Sequence, residues 1–115
     1  MTDTIGFDPA SFGNEAPPSN VSRPLQALWW LKKGTLKTGS QWREAHHLCQ
    51  MDEGDAAHDI VHGLVHWIEG DMPNADYWYR RAGALRSGSL ESEWARIETL
   101  LFATMQNHQG SKTHD

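Results

Sequence analysis

Seven histidines stand in this chain of 115 residues, and three of them recur at four-residue intervals: His58, His62 and His66, with Glu69 three positions further on. Residues three and four apart lie above one another on a helix face. The three imidazoles and the carboxylate therefore form one stripe, the pattern by which a helix presents metal ligands or an acid–base pair. His62 and His66, at i and i+4, can ligate one divalent ion, and Glu69 or Asp71 can add oxygen. His46 is the best third imidazole, because the apolar spacing of its own segment turns it inward. The expected site is thus His46, His62, His66, Glu69 and Asp71, holding zinc, nickel or iron through mixed nitrogen and oxygen ligands.

Other chemistries have less support. No H-E-x-x-H motif is present, so a zincin-type protease is not indicated. The single cysteine, Cys49, sits on an apolar stripe, where a thiol is buried and inert. No serine occupies a G-x-S-x-G elbow, and no glycine-rich loop suits phosphates. His47, His108 and His114 read as surface or tail residues. Tyr77, Arg80 and Arg81 fall off the buried stripe of their segment, and with Trp67 they form an aromatic–basic surface for a carboxylate, a planar ligand or a protein partner. Trp30 or Trp67 could anchor such a partner or a second copy of the chain.

Five helical segments must position these residues, and no convincing strand is legible. Ser22 caps the first, with Pro24 in its first turn, and Gly34 stops it. The second runs from Ser40 to Gln50, with Trp42, Ala45, His46 and Cys49 on one face. Asp55 caps the third, which ends at Gly70; Asp71 caps the fourth, whose stripe is Ala75, Trp78, Tyr79, Ala82 and Leu85. Ser89 opens the fifth, lined by Leu90, Trp94, Ile97, Leu101 and Met105. The fold class is all-α, and short connections predict antiparallel neighbours. Residues 1–21 read as a flexible segment, 22–106 as one helical domain and 107–115 as a tail.

On the third helix Ile60, Val61, Leu64, Trp67 and Ile68 oppose the histidine stripe, so the stripe is either a solvated face or a pocket covered by neighbouring helices. Glu69, in the last turn, is disfavoured by the helix dipole and calls for a cation: His66, a metal ion, or Arg80 and Arg81. His58, at the start of the helix, is the most expendable member of the stripe.

The net charge of −5 and the absence of a Lys/Arg cluster argue against nucleic acid. No apolar run suits a membrane span, no signal-peptide layout opens the chain, and one cysteine fits a reducing compartment, so the expectation is a cytoplasmic protein.

The third and fourth helices resemble a tetratricopeptide hairpin in Gly63, Ala75, Tyr79 and Ala82, whereas Asp59, His62 and His66 stand where that motif has Trp, Leu and Tyr. The run Ala45-His46, His62-x3-His66-x2-Glu69-Gly70-Asp71 and Asn74-Ala75-x-Tyr77-Trp78-Tyr79-Arg80-Arg81-Ala82-Gly83 also resembles a family of small bacterial and fungal proteins whose hairpin reads much like LHRxEGDxxNAxYWYRRAG. The likeness covers about a third of the chain, and Trp67 departs from the basic residue of the motif. That resemblance implies no particular activity. Two functions from different classes follow: a small helical protein with a His/Glu/Asp pocket for a divalent metal or small polar ligand, or a tetratricopeptide-like interaction module. A metal-assisted hydrolase is a third.

Overall fold

The computed structural model describes residues 6–112, with side chains through 104. It is all-helical, with five α-helices and no strand among the described residues. They are α1 (Arg23–Lys33), α2 (Ser40–Cys49), α3 (Ala56–Ile68), α4 (Met72–Arg81) and α5 (Leu90–Lys112), with 3₁₀ turns at Pro9–Gly13 and Gln50–Asp52.

Local chemistry sets the helix ends. The side chains of Ser22, Asp55 and Asp71 accept backbone N–H groups at the starts of α1, α3 and α4. At the start of α5, Ser89 Oγ accepts the Ser92 N–H at 3.1 Å while Ser92 Oγ accepts the Ser89 N–H at 2.9 Å, a reciprocal cap. Helix α3 closes on Gly70 in the left-handed region: the Asp71 N–H returns to the His66 carbonyl at 3.0 Å and the Gly70 N–H to that of Trp67 at 2.9 Å. The same bond pattern ends α1, but there a β-branched residue, Thr35, takes the left-handed position at φ 60°.

Helix α3 is the hub and packs against each of the other four helices. Its residues from His58 to His66 are all buried, so the stripe is covered rather than solvated. Leu25, Leu28, Trp29 and Leu31 of α1, Ala45 and Cys49 of α2, Ile60, Val61, Leu64 and Val65 of α3, Tyr79, and Trp94, Ile97 and Leu101 of α5 fill the core. Helices α3 and α4 approach so closely that a Cβ on Gly63 would lie 2.5 Å from Tyr79 Cδ2 and 3.1 Å from the Ala75 carbonyl oxygen. The hairpin needs glycine at this position because any side chain would enter the Tyr79 ring.

Three expectations change. The N-terminal segment does not hang free: Phe7 is buried, its N–H donates to Glu98 Oε2 at 2.8 Å, and Phe12 stacks on Trp29 at 5.8 Å. The Gly- and Pro-rich composition of residues 1–21 hid two aromatic anchors that cover the α1–α5 side of the core. Leu85 is 78 % exposed, because α4 stops at Arg81 and the left-handed Gly83 turns the chain before Leu85. Helix α5 continues to Lys112, beyond the boundary expected at 106; the side chains of Met105 and His108, and His114 altogether, lie outside the described residues.

Candidate metal centre

The His46, His62 and His66 rings meet where α2 crosses α3. The Trp42 indole N–H donates to the Val65 carbonyl at 2.9 Å, which pins α2 beside the C-terminal half of α3. One turn later on α2, His46 faces His62 and His66, with ring centroids 5.1 Å from each; His62 and His66 stack at 4.9 Å. One nitrogen from each ring lies within 4.8 Å of the others. Tetrahedral zinc, with Zn–N bonds near 2.1 Å, sets its ligand nitrogens about 3.4 Å apart. Closure around an ion thus needs about 1.4 Å of movement at most, which small imidazole rotations supply.

Each ring has a distinct support. His62 is 2 % exposed and lies flat on Trp78, with centroids 4.0 Å apart and planes at 14°. Its Nδ1 is buried without a hydrogen-bond partner. A neutral buried nitrogen without a partner is costly, and a ligand would relieve it. His66 Nδ1 stands 2.7 Å from Glu69 Oε2. An ionised carboxylate only accepts, so this contact assigns the proton to Nδ1 and leaves Nε2 with a free lone pair. Carboxylates hold metal-ligating histidines in the same way. His46 is half-buried, with its ring 5.1 Å from that of Trp42.

The electrostatics favour unprotonated rings. Burial, then the neighbouring His66 and His46 rings, lower the pKa of His62 to about 3. Burial and His66 also lower that of His46, while Glu69 and Glu53 pull it the other way. Metal ligation requires lone pairs, and these two groups offer them at neutral pH.

The five expected site residues separate into two sets. His46, His62 and His66 form the imidazole centre, whereas Glu69 and Asp71 gather on the outer side of His66, with ligand atoms within 4.8 Å. Asp71 also caps α4 through the Asn74 N–H at 3.3 Å. Among the cations expected for Glu69, the structure provides His66. Arg81 goes instead to the buried Asp59, with Nε 3.7 Å from Oδ2, and donates to the Tyr77 hydroxyl at 2.9 Å. Arg80 and Tyr77 are exposed. Trp67 and Trp30 are half-buried and packed on the core, so they are not free anchors; the Arg86 guanidinium stacks over Trp67 at 5.1 Å.

Sequence reasoning placed Trp78 in the core and missed that it floors the site; its position four residues after Asn74 on the buried stripe carries no signal of a histidine partner. It also discounted His58, which is buried with Nδ1 2.6 Å from Asp55 Oδ2. The i, i+3 spacing from the cap residue Asp55 was the available signal. Cys49 is buried as expected, and burial, with Asp59 adding to it, raises its thiol pKa. No described helix is long and apolar enough to cross a membrane. In comparisons with known proteins the chain matches no protein family, no curated protein and no solved structure.

Proposed function

We propose that this chain is a small helical metal-binding protein that holds one divalent transition ion, zinc foremost, between His46, His62 and His66. The observation that carries the reading is the convergence of three imidazoles from two helices, with ligand atoms within 4.8 Å and one buried nitrogen lacking any partner. Nickel and iron suit the same donors. Three nitrogen ligands leave a fourth position for water or a small polar ligand. Glu69 positions His66 through Nδ1, and the carboxylates of Glu69 and Asp71 make that side of the site acidic. Hydrolysis by a metal-bound water is the reaction class such a centre would support.

Zinc titration of the metal-free protein against a chromophoric chelator tests the reading. Wild type is expected to bind zinc tightly, His62→Ala to lose at least a hundredfold in affinity, and Glu69→Gln to lose about 10–100-fold. Failure of wild type to take up zinc, nickel or iron, or equal affinity in His62→Ala, overturns it.

The second reading, a tetratricopeptide-like interaction module, draws on the Gly63–Tyr79 approach and on exposed Tyr77 and Arg80. It predicts a protein partner or a homodimer lost on Tyr77→Ala/Arg80→Ala and indifferent to His62→Ala.

A further inference from the structure

We infer that the other end of α3 carries a second, separate site for a divalent transition cation, built from Asp52, Asp55 and His58. One ligand atom from each lies within 4.8 Å of the others. His58 is 6 % exposed, and its Nε2 is buried with no hydrogen-bond partner. The ring is aimed by Asp55, whose Oδ2 lies 2.6 Å from His58 Nδ1 and also accepts the His58 N–H at 3.1 Å. The hydrogen bond from His58 holds the Asp55 carboxyl below its usual pKa, so it accepts, the proton sits on Nδ1, and Nε2 carries the lone pair. The His66–Glu69 contact at the far end of the same helix is the same device.

Every polar atom this cluster offers is therefore an acceptor: two carboxylates and one imidazole lone pair. A mixed nitrogen–oxygen set of that kind selects a divalent first-row ion. Asp52, Asp55 and His58 line a cavity of about 470 Å³ between the N-terminal ends of α1 and α3 and the Leu101–Thr104 stretch of α5, which leaves room for water on the remaining coordination positions. Arg23 shares the wall of that cavity but makes no ion pair with either carboxylate among the described residues. His58 precedes His66 by eight residues, about 12 Å along the helix axis. That separation exceeds the 3.5–4 Å of a two-metal centre, so the ions bind independently.

The experiment uses the full chain, stripped of metal and titrated with zinc, with helical circular dichroism as the folding control. Wild type is expected to bind two equivalents and His62→Ala one. In the His62→Ala background His58→Gln removes the remaining equivalent, and Asp52→Asn, a change at an exposed residue, weakens it at least tenfold. Manganese added to labelled protein is expected to broaden the Ala57 and His58 amide signals. A single equivalent in wild type that His62→Ala abolishes overturns this second site and leaves the imidazole centre standing. A second equivalent unaffected by both Asp52→Asn and His58→Gln, or broadening elsewhere, overturns it as well.

Discussion

Acid should destabilise the metal-free protein before any carboxylate titrates, and His62 is the reason. In the unfolded chain its imidazole has an ordinary pKa near 6.5. In the fold, burial first and the His66 and His46 rings second lower it to about 3. Above pH 6.5 the ring is neutral in both states and contributes no pH dependence. Below that value the unfolded chain takes up the proton and the native state does not, so stability falls with pH until the native ring protonates near pH 3. Each pH unit inside this window is worth about 1.4 kcal/mol, so going from pH 7 to pH 5 removes about 2 kcal/mol through His62 alone. His46 acts in the same direction, because its pKa is also lowered. Asp55 and Glu93, whose pKa values lie below the usual carboxylate range, act only at more acid pH. The assay is urea unfolding at pH 7 and pH 5 in the presence of chelator, comparing wild type with His62→Gln. Wild type is expected to lose about 2 kcal/mol or more, and the variant, which has nothing to titrate at position 62, to lose about 2 kcal/mol less. Equal midpoints for wild type at the two pH values, or an equal drop in the variant, would refute the argument that His62 is buried as a neutral ring.

Three further outcomes follow from the packing. Gly63→Ala puts a methyl 2.5 Å from Tyr79 Cδ2, and the resulting shift of α4 should cost about 1–3 kcal/mol despite the better helix propensity of alanine; a raised melting temperature would show the approach to be looser than this. Tyr79→Phe removes the 2.9 Å bond to the buried Glu93 while the Arg96 pair at 2.7 and 2.9 Å remains, so urea unfolding should register a loss of about 1–2 kcal/mol, and an unchanged midpoint would argue against that bond. Thr35→Gly relieves a left-handed β-branched residue at φ 60°, and a gain of about 1 kcal/mol in the same assay is expected, with a loss contradicting the strain.

The helices were legible because their ends are chemical. Ser22, Asp55, Asp71 and Ser89 announce starts, Gly34 and Gly70 announce stops, and each assignment rests on local hydrogen bonding that the structure contains. The imidazole centre was legible for the same reason on α3, where i, i+4 spacing sets the side chains on one face. His46 was placed by its apolar stripe. What stayed hidden is tertiary. Nothing local tells that Phe7 reaches back to Glu98 or that Trp78 lies under His62, since both contacts join residues brought together only by the packing of whole helices. His58 was undervalued because a helix start usually frays; here the neighbouring ends of α1 and α5 line a common cavity with it.

The distribution of unsatisfied polar atoms ties these observations together. Three buried side-chain atoms lack a partner among the described residues: His58 Nε2, Asp59 Oδ2 and His62 Nδ1. All belong to α3, the helix with neighbours on every side. Each such atom ordinarily costs about 1–3 kcal/mol, and leucine or phenylalanine at these positions would avoid that cost in a core of this kind. Asp59 Oδ2 is offset by the Arg81 guanidinium 3.7 Å away. The two imidazole nitrogens have no such neighbour, yet each belongs to a ring whose partners converge on it: His46 and His66 around His62, Asp52 and Asp55 around His58. Destabilising atoms confined to the hub helix, each inside a ligand-like set, are better explained by cations that complete them than by packing alone.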